Sequence, residues 1–381
     1  MLHRTPCRGK RMIRLQYFTL AAIALRLAVG TAMAQTGGTD SAYRLVEHGG
    51  RAMLAAPGGG VLWLRALNHV HIVTTGAPRA DLAPAYLDQR SQHMLAAMHR
   101  LGFNALGGDA DAELWHRGLP FIQSLHLTAL LEGSQAEPMV NVYASGFAAE
   151  MERLAMDACA PRATDPGLIG YFSDDSLPWD PATHAGAVLG FYLSLPLRTA
   201  GRQRAVDYLQ DLYNGDIGRL DRRWGLKARL FVNVQVPAHG SPAAQRAVNA
   251  DAARFAEDVL VRYLRTAAGA IHAADPHHLF LGANLEFDPA RPPAPGSAAA
   301  AAWTIADVNS VLIRPGQDAT AVLAALARVT PRPVLAQWTG CGPPPPAALD
   351  SPRLIGFLWS PGGDWESGPC AAAAAAWGRL R

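Results

Sequence analysis

The sequence predicts an α/β fold in which eight parallel strands and their helices close into a (β/α)8 barrel, preceded by a short β-hairpin. Apolar runs of strand length alternate with segments of helical periodicity along most of the chain. The run LIGYF (168–172) ends in the polar cluster SDDS (173–176) and is followed by Pro178, as expected for a buried parallel strand that delivers side chains to the open end of a barrel. Removing a predicted 34-residue targeting segment from the 381 residues leaves 347, which suits one barrel of about 250 residues plus insertions.

Residues 1–34 have the composition of a signal peptide. Five basic residues lie between positions 4 and 14, an apolar stretch follows from 17 to 29, and Ala32-Met33-Ala34 matches a cleavage pattern. Arg26 interrupts the apolar stretch, which argues against a permanent membrane span, and Met12 is an alternative start. We therefore expect an exported protein, periplasmic or secreted, with no stable membrane span after cleavage.

The charge of the chain argues against a nucleic acid partner. The net charge is +3, but residues 1–34 carry six Arg and Lys residues and no acidic ones, so their removal leaves −3. The basic character therefore belongs to the targeting segment, and nothing in the remaining chain predicts binding to nucleic acid.

The elements are expected in a regular order after this segment. Residues 35–60 form an N-terminal segment in which 43–60, with their Gly-rich turn, predict a short β-hairpin; residues 61–381 form the barrel. The barrel strands are predicted at 61–70, 103–108, 121–127, 168–172, 279–287, 306–313, 333–340 and 354–360.

Helices are predicted between most of these strands. Apolar residues recur at helical spacing in 84–101 and 147–159 and through a long region from about 180 to 275. The alanine run 371–376 predicts a last helix, whereas 293–302 has no regular period and is expected to be a loop.

Three cysteines follow the targeting segment. Cys341 and Cys370 lie in loops after the last two predicted strands, where an exported protein can oxidise them, but the sequence leaves their pairing open. Cys159 ends a predicted helix and is expected to be a small buried residue.

Several motifs give the chain a family resemblance. The segment 168–179, LIGYFSDDSLPW, resembles the fourth-strand motif GYFxDNELPW of agarase-like and β-galactosidase-like glycoside hydrolases. Further matches, in order, are Asn68-His69, LGFN (101–104), NGDI (214–217), AADPHHLFLG (273–282), RPVLAQW (332–338) and LIGFLW (354–359). The resemblance covers most of the chain after the targeting segment and implies the barrel fold, with the hairpin closing its bottom.

Both catalytic positions of the resembled family are substituted. Its retaining mechanism needs two carboxylates about 5 Å apart, one as acid/base and one as nucleophile. The resemblance places these two roles at Ser176, after the fourth strand, and at Gln337, in the seventh. Serine is not acidic near neutral pH and glutamine is not usefully nucleophilic, so we expect the standard retaining mechanism to be absent.

Replacement carboxylates are the alternative to this loss. Asp174, Asp175, Glu286, Asp364 and Glu366 all follow predicted strands and could face the mouth of the barrel, and an inverting mechanism tolerates a gap of about 6.5–9.5 Å. Each of them also has an ordinary structural interpretation as an ion-pair partner or a loop cap.

Sugar binding does not require catalytic carboxylates. It needs aromatic faces and a few polar groups at a concave mouth. The candidates for these contacts are Asn68, His69, Asn104, Asp174, Trp179, Trp338 and Trp359. For the tryptophans, padding of the barrel top is an equally good interpretation.

No metal or cofactor is expected from the sequence. His126 and the pair His277-His278 lack carboxylates at metal-box spacing, and no phosphate-binding or dinucleotide-binding glycine motif is present. The favoured function is a catalytically impaired, exported glycoside-hydrolase-like protein that binds a poly- or oligosaccharide. The alternatives are an active glycosidase with displaced carboxylates and a non-catalytic scaffold for a protein partner.

Overall fold

A computed structural model describes residues 41–73, 82–132, 139–177, 179–361, 365–366, 368 and 370–380. The predicted targeting segment 1–34 and the candidate carboxylate Asp364 lie outside these residues, so the expectations attached to them remain predictions.

The main sheet is a parallel barrel, as predicted. Its strands are β4 (Leu64–Leu67), β5 (Ala105–Leu106), β6 (Phe121–Ser124), β7 (Leu168–Phe172), β8 (Leu279–Phe280), β9 (Leu285–Glu286), β10 (Asn309–Ile313), β11 (Val334–Thr339) and β12 (Leu354–Ser360). Their order in the sheet is β8-β7-β6-β5-β4-β12-β11-β10-β9, and all of the pairs are parallel.

One stretch of chain closes the sheet into a barrel. The two edge strands, β8 and β9, are consecutive pieces of the predicted strand 279–287, so β8 pairs with β7 while β9 pairs with β10. Between them, the amide of Leu281 donates to the carbonyl of Tyr171. Eight chain segments therefore surround one interior, as a (β/α)8 barrel requires.

Side chains alternate between the barrel interior and the helix layer. The interior is a continuous apolar cluster that includes Ile122, Ile169, Leu335, Ile355 and Leu358. The residues next to them along the strands pack outward against the helices in a second, larger cluster. This period of two follows from the geometry of a strand and determines which strand-end residues can reach the mouth.

The N-terminal hairpin closes the bottom of the barrel, as the family resemblance implies. Strands β1 (Arg44–His48), β2 (Arg51–Ala55) and β3 (Val61–Leu62) form a three-stranded antiparallel sheet. Tyr43 and Leu54 pack into the interior cluster, and the Arg51 guanidinium donates to the carbonyls of Leu349 and Ser351, just before β12 begins.

The helices surround the barrel. They are α1 (Pro84–Leu101), α2 (Leu127–Glu132), α3 (Phe147–Cys159), α4 (Pro181–Ser194), α5 (Ala200–Leu212), α6 (Ile217–Trp224), α7 (Pro242–Ala274), α8 (Ala298–Ala302), α9 (Ala319–Val329), α10 (Pro346–Leu349) and α11 (Ala371–Gly378). None of the helices in this described part of the chain is both long enough and apolar enough to cross a membrane.

The long helical region predicted at 180–275 is four helices, α4 to α7. Each begins at a polar residue whose side chain accepts a hydrogen bond from the first turn: Asp180, Thr199, Asp216 and Ser241. Gly225 ends α6 in a left-handed conformation. These capping signals divide a stretch that periodicity alone describes as continuous.

One predicted loop is helical, and two others are joined by a disulfide. The sequence predicts a loop at 293–302, but its alanines form the short helix α8, because Ser297 caps the amide of Ala300. Cys341 and Cys370, whose pairing the sequence left open, form a disulfide, whereas Cys159 is a free, buried thiol as expected.

Candidate functional site

The carboxyl ends of four strands meet at the mouth of the barrel in one hydrogen-bonded group. Asn68, after β4, donates from Nδ2 to Ser360 Oγ at 3.1 Å, and Gln337, in β11, donates from Nε2 to the same oxygen at 3.3 Å. Asn68 Oδ1 also accepts from the amide of Gly108, after β5. Asn68 and Gln337 are almost fully buried, so this group forms the floor of the mouth.

The close approach of the end of β5 to its two neighbours, β4 and β6, requires glycine. A Cβ atom at Gly107 would lie 1.8 Å from Asn68 Oδ1, and one at Gly108 would lie 2.6 Å from Ser124 Oγ. Both contacts are far too short, so the two glycines after β5 allow the strand ends to converge.

Above this floor, histidines and aspartates from four strand ends form a cluster. His69 Nε2 lies 3.2 Å from Asp175 Oδ2, and His69 Nδ1 lies 3.7 Å from Asp109 Oδ2. His126 Nε2 lies 2.7 Å from Asp109 Oδ1. Asn284 Nδ2 donates to Asp175 Oδ1 at 3.1 Å. We call His69, Asp109, His126 and Asp175 the mouth cluster.

The backbone of this region adopts an uncommon conformation. His69, Asp109, His126 and Asn284 have φ values of 55°, 58°, 52° and 49°. A left-handed conformation costs a non-glycine residue about 1–2 kcal/mol, and such residues concentrate where a structure holds side chains in place for function. The left-handed turn after each strand points these side chains toward one another.

The charges of the cluster reinforce its pairing. The hydrogen bond to Asp175 raises the pKa of His69, and the hydrogen bond to Asp109 raises that of His126, in each case against the opposing effect of burial. Burial acts to raise the pKa of Asp109, but the hydrogen bond and charge of His126 outweigh it and lower the pKa. His126 and Asp109 therefore each favour the ionised form.

The mouth cluster can also hold a cation, which the sequence did not predict. One nitrogen of His69 and one oxygen each of Asp109 and Asp175 lie within 4.8 Å of one another. Nitrogen and carboxylate oxygen are ordinary metal ligands, so the arrangement fits a single dication.

Asp174 is not available to a substrate, contrary to the sequence interpretation. It is 4% exposed, and its carboxylate accepts hydrogen bonds from the Thr128 amide and the Tyr263 hydroxyl. Burial raises its pKa, against the hydrogen bonds from Tyr263 and Thr128. Asp174 therefore ties β7 to α2 and α7, while its neighbour Asp175 faces the mouth.

The remaining carboxylate candidates are paired. Glu286, at the end of β9, forms an ion pair with Arg314, and Glu366 forms ion pairs with Arg90 and His93. Ser176 is exposed in the loop after β7. Among the described residues, therefore, every candidate replacement carboxylate has a hydrogen-bond or ion-pair partner. The two substituted family positions carry no carboxylate at all.

The three tryptophans pack under the barrel top, which corrects their assignment as sugar contacts. Trp179 packs on Tyr263, Trp338 packs against Phe357, and all three rings are at most 5% exposed. Trp359 stacks on Phe103 and donates from Nε1 to the Gly340 carbonyl. Trp338 and Trp359 alternate with inward-facing Gln337 and Ser360, so the strand pleat turns both rings outward.

Asn104 lies at the opposite end of the barrel, which also corrects the sequence interpretation. It precedes β5, accepts from the Arg65 amide through Oδ1, and donates from Nδ2 to the Trp63 carbonyl. These contacts hold the start of β4. His277 and His278 also lie at the bottom, just before β8, where their amides donate to the Asp275 carboxylate.

The structure adds Asp109, Asn284 and Ser360 to the site. All three are polar residues at a strand end or within the closing segment, and each was readable as such from the sequence. His126 has no carboxylate at metal-box spacing in the sequence, but the fold brings Asp109, from a different strand end, into contact with it. The general signal was the polar residue after every strand, rather than any single motif.

Comparisons with known proteins place the fold but not the activity. No family model matches the chain, and no curated protein matches it. Solved structures do match. An exo-β-agarase aligns with a TM-score of 0.62 and 16% identity over 90% of this chain and 65% of the agarase. The agarase AgWH50C aligns with a TM-score of 0.59 and 14% identity over 84% of this chain and 59% of that chain.

A third match, BpGH50, has a TM-score of 0.61 and 15% identity over 91% of this chain and 82% of that chain. The predicted resemblance to agarase-like glycoside hydrolases is therefore confirmed for the fold. This chain spans less than two thirds of the length of the two agarases.

Proposed function

We propose that this protein is an exported, glycoside-hydrolase-like barrel that binds a poly- or oligosaccharide at its mouth and does not hydrolyse it by the retaining mechanism. The observation that carries the proposal is the state of the carboxylates. Asp174 is buried and hydrogen-bonded, Asp175 pairs with His69, and Glu286 pairs with Arg314. A retaining glycosidase needs one protonated and one free carboxylate on either side of the scissile bond.

The two family positions support the same conclusion. Gln337 occupies the floor of the mouth as a neutral amide bonded to Ser360, and Ser176 lies exposed in a loop. Neither side chain can take the nucleophilic or acid role. A neutral amide avoids the cost of a buried charge and still offers a donor and an acceptor to a hydroxyl group.

Sugar binding is supported by the polar groups of the mouth. The side chains of His69 and His126 are 38% and 50% exposed, and those of Asp109 and Asp175 retain about a fifth of their exposure. Ionised donors and acceptors make stronger hydrogen bonds than neutral ones, which suits the recognition of sugar hydroxyls. Because the three tryptophans are buried, recognition relies on these groups rather than on stacking.

Export is supported by two features. Residues 1–34 have the pattern of a signal peptide. The Cys341–Cys370 disulfide is of the kind that persists in an oxidising compartment. A periplasmic or secreted location follows from the proposal.

The test is a glycan panel, including agarose and galactan oligosaccharides, titrated by calorimetry with EDTA present. Reducing ends are measured in parallel. We expect saturable binding without release of reducing ends. Binding should weaken in His69→Ala and Asn284→Ala. It should persist in Asn104→Ala, a matched substitution at the other end of the barrel.

The other outcomes identify the alternatives. Release of reducing ends that disappears in Asp175→Asn would establish an active glycosidase with displaced carboxylates. The absence of saturable binding across the panel would favour a scaffold whose mouth contacts a protein partner.

A further inference from the structure

We propose that the mouth of the barrel binds one divalent transition-metal ion of the Zn²⁺ type through His69, Asp109 and Asp175. The proposal goes beyond glycan binding and stands whether or not the mouth binds a sugar. It rests on the arrangement of ligand atoms, on the neighbours that orient them, and on a buried oxygen beside them.

The ligand atoms are close enough for a single ion. One atom from each of the three residues lies within 4.8 Å of the other two. Three ligands bound tetrahedrally to one Zn²⁺ at about 2.0–2.2 Å lie about 3.3–3.6 Å apart. Asp109 and Asp175 face different nitrogens of His69, at 3.7 Å and 3.2 Å, so an ion bound at one nitrogen draws the other carboxylate toward it.

Each carboxylate has one oxygen held by a neighbour and the other directed to His69. Asp109 Oδ1 is bonded to His126, and its Oδ2 lies 3.7 Å from His69 Nδ1. Asp175 Oδ1 is bonded to Asn284, and its Oδ2 lies 3.2 Å from His69 Nε2. Metal sites characteristically orient their ligands through such outer hydrogen bonds. His126 and Asn284 therefore act as positioning residues.

A buried oxygen beside the cluster independently indicates a missing partner. Asn284 is 1% exposed, and its Nδ2 contacts Asp175, so the amide lies against the cluster. Its Oδ1 has no hydrogen-bond partner among the described residues. Buried polar atoms are almost always satisfied, and a metal-bound water beside Asp175 would supply the absent donor.

The donor set selects the class of ion. One imidazole nitrogen with two carboxylate oxygens suits Zn²⁺ and its neighbours, because Mg²⁺ and Ca²⁺ prefer oxygen ligands alone. Two carboxylates balance the charge of a dication. Three protein ligands leave a position for water, and the partial exposure of His69 gives the ion access from solvent.

The experiment is calorimetric titration of the full chain, without an affinity tag, with Zn²⁺ alone at pH 7.5 after EDTA treatment and dialysis. We expect one equivalent to bind. His69→Ala and Asp109→Asn should each lose this binding. His126→Ala should weaken it about 10–100-fold with unchanged stoichiometry, as expected for an outer hydrogen-bond partner. The control is His71→Ala. His71 lies two positions after His69 but forms its own exposed pair with Asp111, so its substitution should leave zinc binding intact.

Circular dichroism of the metal-free variants verifies that each is folded. Because two independent ligand variants are tested, the experiment still decides the proposal if one of them does not fold. No stoichiometric uptake by the parent would overturn the proposal. Equal uptake by parent, His69→Ala and Asp109→Asn would do the same, because the zinc would then bind elsewhere. Binding of Ca²⁺ at this cluster in preference to Zn²⁺ would overturn the assignment of the ion class.

Discussion

The side-chain amide of Gln337 and the hydroxyl of Ser360 are hydrogen-bonded partners on neighbouring strands, with Nε2 and Oγ 3.3 Å apart. The same hydroxyl accepts from Asn68, so three strands share one oxygen at the floor of the mouth. Gln337 Oε1 has no hydrogen-bond partner among the residues described. The position to which the family resemblance assigns the nucleophile thus holds a neutral group with a free acceptor.

This arrangement predicts that Gln337→Met changes stability little. The substitution removes one hydrogen bond worth about 1 kcal/mol, but it also removes the unpartnered buried oxygen. We expect the free energy of unfolding in urea to change by less than about 1 kcal/mol, while glycan affinity falls severalfold. Unchanged affinity would mean that the floor of the mouth does not contact the glycan.

The hydrogen bonds that hold Asp174 predict that Tyr263→Phe lowers the free energy of unfolding more than Gln337→Met does. The hydroxyl of Tyr263 donates to the buried Asp174 and accepts from the Thr128 hydroxyl, and leaving buried partners unsatisfied costs about 1–3 kcal/mol. Chemical denaturation should reveal a loss of that size. The control Tyr208→Phe removes a hydroxyl that donates to the neutral carbonyl of Asp251 and should cost about 0.5–1.5 kcal/mol. Equal losses in the two variants would contradict this prediction.

Asp275 predicts a pH dependence of stability. Burial acts to raise its pKa, but hydrogen bonds from His278, Tyr171 and the His277 amide outweigh burial and lower the pKa to about 2. An unfolded aspartate titrates near about 3.9, so the depressed value contributes about 2–3 kcal/mol. This contribution is complete above about pH 4 and is lost as the pH falls through about 2.

Asp275→Asn should therefore be less stable than the parent at pH 7, with the difference shrinking between about pH 4 and pH 2. Urea unfolding across this range measures it. Asp157→Asn, on an exposed side chain, should track the parent. A constant difference between parent and Asp275→Asn at every pH would contradict the prediction.

The disulfide predicts a redox-sensitive stability. Cys341 and Cys370 are 29 residues apart, and closing a loop of that length stabilises a protein by about 3–4 kcal/mol in the chain-entropy model. The double substitution to serine should lower the melting temperature and abolish its response to dithiothreitol. Cys159→Ala should retain that response, because Cys159 is a free thiol. A parent protein insensitive to reductant would count against the disulfide.

The tryptophan packing predicts that Trp359→Phe affects stability and spares binding. Its ring lies between Phe103 and Trp377, outside the mouth. We expect a loss of about 1–3 kcal/mol from the smaller ring, with glycan affinity unchanged. Tyr86→Phe, on a half-exposed side chain, should change neither quantity. A selective loss of affinity in Trp359→Phe would restore the sugar-stacking interpretation.

The sequence by itself determined the barrel, the approximate strand positions and the substitutions at Ser176 and Gln337. The barrel and the strand positions depend on periodicity and on polar residues that follow apolar runs, which are local properties of the chain, whereas the two substitutions are what the family resemblance implies. The tertiary structure decided which strand-end side chains face the mouth. The outward direction of Trp338 and Trp359 was predictable from the sequence in principle, because a strand that turns Gln337 inward must turn Trp338 outward.

The different side-chain directions of Asp174 and Asp175 were not predictable in this way. Both residues follow the strand in irregular backbone, where side-chain direction depends on dihedral angles that tertiary contacts set, and Tyr263 on a distant helix holds one of them. The mouth cluster combines residues from four strand ends, of which His69 and Asp175 are separated by about a hundred positions. Sequence patterns report local periodicity, whereas a site of this kind exists only once the closed barrel brings separate strand ends together.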